Sequence, residues 1–252
     1  MEHLQTLLLP LLLLMCPPAS TAPSIADYAW KWRERGGEAK AASRNHSAPY
    51  VAYLQGRDNH SCAGLLVAPG WVMTAAQCLV HEPQTVILGA RTLQSREKSW
   101  QTFEVKEYHS HPGFKISNLK NGNDILLLKL NGNATRSDYV KPISLERSSK
   151  IQGSTECRVL SWGHRRDRVT LCEATVTIFK SRDCLPYYPG LPNKMICGKS
   201  KSSEVPAKDG AGDPLVCKDK AYGIFSYQYR SFGIYTQVAH FASWVDTVLK
   251  SA

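Results

Sequence analysis

Beyond Leu14 the 252-residue chain has no apolar run near the roughly 20 residues that a membrane-spanning helix needs. The later hydrophobic stretches are brief and broken by charge, Gly or Pro, so a transmembrane protein is not expected. No Cys-x-x-Cys pair and no His-Glu-x-x-His motif occur, so neither a zinc site nor any other metal or cofactor is expected. There is no repeat of fixed period and no low-complexity tract, which excludes a solenoid. The chain also lacks a Lys or Arg in Met1-Glu2-His3, ahead of its first apolar run. That departs from the usual export signal.

The rest of that opening fits export. Leu7 to Leu9 and Leu11 to Leu14 form a short apolar core, and Pro18 to Ala22 supply small residues of the kind found at a cleavage site. Residues 1–22 are read as a signal peptide, with an uncleaved anchor as the alternative, and the mature chain as secreted, extracellular or in a secretory vesicle. Of eight cysteines Cys16 falls in the signal, leaving Cys62, Cys78, Cys157, Cys172, Cys184, Cys197 and Cys217. In an exported chain these favour disulfides, and an odd number leaves one thiol over. Asn45, Asn59 and Asn133 each open an N-glycosylation tripeptide. The net charge is +10, and loss of the signal with its single Glu2 raises the mature chain to +11. Such a surface attracts heparin-like glycans, anionic lipid or acidic proteins, or is simply solvated. No nucleic-acid partner is expected.

Short runs rich in Val, Ile, Tyr and Thr, separated by Gly, Pro, Asn and Ser, predict strands: 50–54, 64–67, 85–88, 125–130, 159–161, 175–179, 223–227 and 233–238. Regular short strands suggest antiparallel barrels or a sandwich. Residues 241–249 switch to helical spacing, with Trp244, Val245, Val248 and Leu249 able to share a face. Residues 23–47 are polar, include Trp30 and Trp32, and read as a flexible tail or as a segment packed on the body.

Several motifs occur in one order. They are "APYVAYL" (48–54), "CAGLLVAPGWVMTAAQC" (62–78), "NDILLLKL" (123–130), "CRVLSWG" (157–163), "DGAGDPLVC" (209–217) and "GIYTQV" (233–238). On these the chain strongly resembles the trypsin/chymotrypsin family of serine proteases over about four fifths of its length. The 48–78 block is also similar to the small trypsin-X-like pseudoproteases. The resemblance implies an all-β fold of two six-stranded antiparallel barrels with a C-terminal helix, spanning residues 48–252. It further implies disulfides Cys62–Cys78, Cys157–Cys217 and Cys184–Cys197, with Cys172 left buried or paired to another chain.

Peptide hydrolysis in this family runs on a hydroxyl, an imidazole and a carboxylate. The matching positions hold Ala211, Gln77 and Asp124. A carboxamide does not titrate near neutral pH, and a methyl group offers no nucleophile. Losing either partner typically lowers turnover by roughly 10⁶-fold, because they act as a unit. Asp209 stands where the family uses a glycine N–H in its oxyanion hole, and Gly210 stands where it keeps an aspartate for the amine released by activation. Val205 occupies the substrate-pocket position, with Tyr227 and Gln228 where substrate backbone would pair, and Ala207 marks an absent disulfide. Rescue from His60, His81, His109, His111 or an Asp209–Asp213 pair has no motif behind it.

The reading at this stage is a secreted homologue that is not an enzyme and that binds another protein through a retained protease scaffold. The alternatives are a polyanion binder, using Arg165, Arg166, Arg168, Lys199, Lys201, Lys218 and Lys220, and a residual hydrolase with a non-standard site.

Overall fold

The computed structural model describes residues 40–41, 48–57, 60–151, 154–165, 168–200 and 210–251. The chain divides into two compact units, Met1–Gly36 and Gly37–Ala252, and every described residue lies in the second. The predicted signal, Asn45, Asn59, Arg166, Lys201, Val205, Ala207 and Asp209 lie outside the described residues.

The first barrel is continuous in sequence: β2 (Val51–Gln55), β3 (Ser61–Ala68), β4 (Trp71–Thr74), β5 (Thr85–Leu88), β6 (Gln101–Ser110) and β7 (Leu126–Leu130). The strands close in the order β2-β3-β4-β7-β6-β5, all antiparallel. The second barrel uses β9 (Thr155–Arg165), β10 (Arg168–Phe179), β11 (Met195–Ser200), β12 (Pro214–Cys217), β13 (Lys220–Tyr229) and β14 (Phe232–Gln237). Its path β10-β11-β14-β13-β12-β9 returns to β10 through the β9–β10 hairpin. Two short strands lie outside these rings. β1 (Lys40–Ala41) pairs with Glu173 and Cys172 on β10, and β8 (Ser144–Leu145) runs parallel to β13. The four-residue α1 (Ser181–Cys184) follows β10, and α2 (Ala242–Ser251) ends the chain. The two six-stranded barrels and the terminal helix are those the resemblance implied.

Each barrel buries its own interior. Leu54, Leu66, Val72, Val86, Leu126 and Leu128 fill the first, while Val159, Val176, Ile196, Leu215, Phe225 and Tyr235 fill the second. A third cluster draws on both barrels, including Val51, Tyr53, Leu65, Met73, Leu127, Leu160, Trp162, Val216 and Ile224, together with Val245 and Val248 of α2. Alternation explains this arrangement. Successive strand residues face opposite sides, so one set lines a barrel while the next packs on the neighbouring barrel. Disulfides join Cys62–Cys78, Cys157–Cys217 and Cys184–Cys197. Cys172 forms no disulfide among the described residues and sits half-buried on β10.

Candidate functional site

β4 delivers the chain through extended Ala75 into a 3₁₀ turn, Ala76–His81, which carries Gln77. Cys78, the next residue, is anchored to Cys62 at the start of β3, so the position of Gln77 is set from both sides. Asp124 stands just before β7 and is fully buried. Ser226 comes from β13 of the second barrel, at an irregularity in its pairing with β14 between Phe225 and Tyr227.

These three residues form a closed network. The Gln77 backbone N–H donates to Asp124 Oδ1 at 2.8 Å, and its side-chain Nε2 donates to Asp124 Oδ2 at 2.6 Å and to the Ser226 carbonyl at 2.6 Å. The Ser226 hydroxyl donates to Asp124 Oδ2 at 2.5 Å, and Thr236 Oγ1 donates to the Asp124 carbonyl at 2.9 Å. Two acceptors facing one amide group decide which way round that amide sits: nitrogen inward. Burial pushes the Asp124 carboxyl above the usual carboxylate range. Hydrogen bonds from Ser226, from Gln77 and from the Ala76 backbone offset part of that rise. Every one of those donors is neutral.

Ala211 is half-buried against the first barrel's interior, and its carbonyl accepts from Ala63 N–H at 3.1 Å. Gly212 follows with φ 85°. A side chain there would put its Cβ 2.1 Å from the Ala63 carbonyl oxygen, so the turn requires glycine. Gly210 is buried. Asp213 is 1% exposed and therefore faces the protein interior rather than any substrate. The Tyr227 hydroxyl lies 2.9 Å from that of Tyr188, and burial raises its pKa. The Gln228 amide folds back to donate to the Arg230 carbonyl at 2.9 Å.

The histidines are engaged elsewhere. His60 and His81 stack with ring centroids 4.3 Å apart, and His109 contacts Glu107 at 3.0 Å. His111 packs edge-on against Phe241 and Trp244, and its pKa is lowered by burial and then by Lys194. Among the described residues no group of three or more His, Cys, Asp or Glu could hold a metal ion, and no helix is long and apolar enough to cross a membrane. Asn133 is exposed after β7. Sequence reasoning did not find that Ser226 and Thr236 both serve Asp124. Only the pairing of β13 with β14 brings them together, and no local motif encodes it.

The trypsin family profile matches residues 37–245. The chain belongs to the trypsin family. It is 34% identical to granzyme F of Mus musculus over 220 residues, covering 81% of this chain and 88% of that one. It is 34% identical to cathepsin G of Homo sapiens over 222 residues, covering 83% and 86%. With granzyme H of Homo sapiens it shares 33% identity, covering 98% of this chain and 99% of the relative. Among solved structures, "Structure of GrC" aligns with TM-score 0.73 at 32% identity, covering 82% of this chain and 97% of that chain. Neuropsin, described as a serine protease expressed in the limbic system of mouse brain, aligns with TM-score 0.73 at 29% identity, covering 82% and 97%.

These relatives correct one expectation. Granzymes and cathepsin G are enzymes, so the reading of this chain as no enzyme gives way to membership in a protease family. What the residues themselves exclude is narrower. A relay through an imidazole at 77 and a hydroxyl at 211 has no groups to run on, because those positions hold Gln77 and Ala211.

Proposed function

We propose that this trypsin-family chain is exported and uses its protease scaffold to bind a polypeptide partner alongside Tyr227 and Gln228. The observation that carries the reading is the Gln77 amide, which holds Asp124 of one barrel and the Ser226 carbonyl of the other at 2.6 Å each. That bond sets the β13 backbone in place before any partner arrives, so binding there pays little for ordering the wall. In the test, tagged mature protein from mammalian cells is mixed with a broad peptide pool, and retained and cleaved peptides are read by mass spectrometry in the same samples. A retained set that is lost in Tyr227→Ala supports the reading. A retained set unchanged in that variant, or no retention, overturns it. Cleavage products report hydrolysis separately.

A second reading, polyanion binding, has its own observation. Residues 91–93 lie along β10: Leu93 N–H donates to the Val169 carbonyl at 2.9 Å, Leu171 N–H to the Arg91 carbonyl at 2.8 Å, and Thr92 bridges Thr170. This brings the loop with exposed Arg91, Arg96 and Lys98 toward the hairpin whose strand ends are Arg165 and Arg168. Elution from immobilised heparin separates the two readings. The double variant Arg91→Ala, Arg96→Ala should leave at lower salt than Lys218→Ala, Lys220→Ala, whereas equal shifts would mean net charge alone.

A further inference from the structure

We propose that Asp213 is a proton-operated latch on the turn from Gly210 to Asp213, holding it closed while the carboxyl is neutral and loosening it when the proton leaves. The turn is held from both barrels. Asp213 N–H donates to the Gly210 carbonyl at 2.9 Å, Phe225 N–H to the Asp213 carbonyl at 2.8 Å, and Gly212 N–H to the Phe225 carbonyl at 3.0 Å. On the other side Ala63 N–H of β3 takes the Ala211 carbonyl, and Thr74 Oγ1 would lie 2.3 Å from a Cβ on Gly212. A shift of Asp213 toward water therefore cannot be absorbed locally. It must disturb bonds to β13 and the seat of Ala211.

The side-chain surroundings give the ionised form little support. Asp213 Oδ2 is buried with no hydrogen-bond partner, and the Ser161 hydroxyl from β9 and the Tyr235 hydroxyl from β14 are buried in the same condition. Ser161 lies close enough to favour the charged carboxylate without making a full hydrogen bond to it. Tyr235 is itself held neutral, its pKa raised by burial and then by Asp213. β13 contributes the Phe225 backbone N–H to the Asp213 carbonyl. Among the described residues no Lys, Arg or His supplies a positive charge. Burial therefore pushes the Asp213 carboxyl well above the usual carboxylate range.

The direction of the effect follows. Between the ordinary carboxylate pKa and the raised one, the folded chain keeps a proton that the unfolded or opened chain has released. Stability of the closed turn is full at acid pH and declines as pH rises through the folded-state value. A mildly acidic compartment would hold the turn shut, and a neutral exterior would favour its opening. This device is independent of what the protein binds.

Amide hydrogen exchange at the N–H groups of Gly212 and Phe225, corrected for intrinsic base catalysis and followed from pH 5 to pH 8, tests it on the full mature chain. Wild type should show opening that rises by up to about tenfold per pH unit between the ordinary carboxylate pKa and the raised one, while Asp213→Asn shows a flat profile. If Asp213→Asn does not fold, Ser161→Ala decides. Removing the one hydroxyl that favours the charged form should carry the rise to higher pH before it levels off. A flat wild-type profile, the same slope in Asp213→Asn, or a levelling-off pH unmoved in Ser161→Ala overturns the latch.

Discussion

The indole N–H of Trp162 donates to the Ala52 carbonyl at 3.2 Å, joining β9 of the second barrel to β2 of the first. The same ring meets Tyr53 edge-on with centroids 5.3 Å apart. One side chain thus supplies both a polar and an apolar tie across the barrel interface. Trp162→Phe keeps most of the packing and deletes the donor. The Ala52 carbonyl keeps its place opposite Gly64 in the β2–β3 ladder, so the expected loss is about 0.5–1.5 kcal/mol, the net worth of a typical hydrogen bond, read as a lower urea midpoint with an unchanged slope.

Position 77 distinguishes hydrogen bonding from shape. Gln77→Ala strips a donor from both Asp124 and the Ser226 carbonyl, and stability should fall by about 2–3 kcal/mol. Gln77→Glu keeps the shape but sets a second carboxyl against a buried one. The folded-state pKa of that pair rises, so the variant's deficit should grow as pH climbs from 4 to 7 and shrink on acidification. Thermal melts across that range check the sign.

Gly212→Ala should be the most damaging glycine-to-alanine change among the described residues. Its φ of 85° disfavours a side chain, and the added carbon would lie 2.1 Å from the Ala63 oxygen. A loss beyond about 3 kcal/mol is expected, or no recoverable protein at all, against about 1–2 kcal/mol for an alanine at Gly190, where φ is 81° but the space is open.

Asn133→Gln should remove one glycan from protein made in mammalian cells, because Asn133 and Thr135 are exposed on the loop after β7. A mass difference of one glycan between variant and wild type confirms the site, and equal masses refute it.

The parts of the fold that stood out in the sequence are those buried on both faces. β2, β5 and β7 are nearly continuous apolar runs, and their burial strings explain why. β6 was not among the predicted runs. Its ten residues alternate half-buried and exposed, with Glu104, Lys106 and Glu107 among them, so no apolar run forms. β11 and β12 were also missed as runs although buried, because β11 has only Met195, Ile196 and Cys197 before Gly198 and β12 is four residues long and opens on Pro214. At the site, Gln77, Asp124 and Ala211 were found by motif. Their bonding was not, since Ser226 reaches Asp124 only through a fold that joins residues 102 apart in sequence.

Each barrel being one unbroken stretch of chain has a consequence for biosynthesis. During vectorial synthesis the first barrel, ending at Leu130, can close before β9 has been made. Asp124 then belongs to a finished barrel whose Ser226 and Thr236 partners have yet to leave the ribosome. The polar knot at the cleft is therefore completed last, when β13 and β14 dock, and a nascent chain stalled before Ser226 would present a folded half whose Asp124 carboxylate has Gln77 but not Ser226.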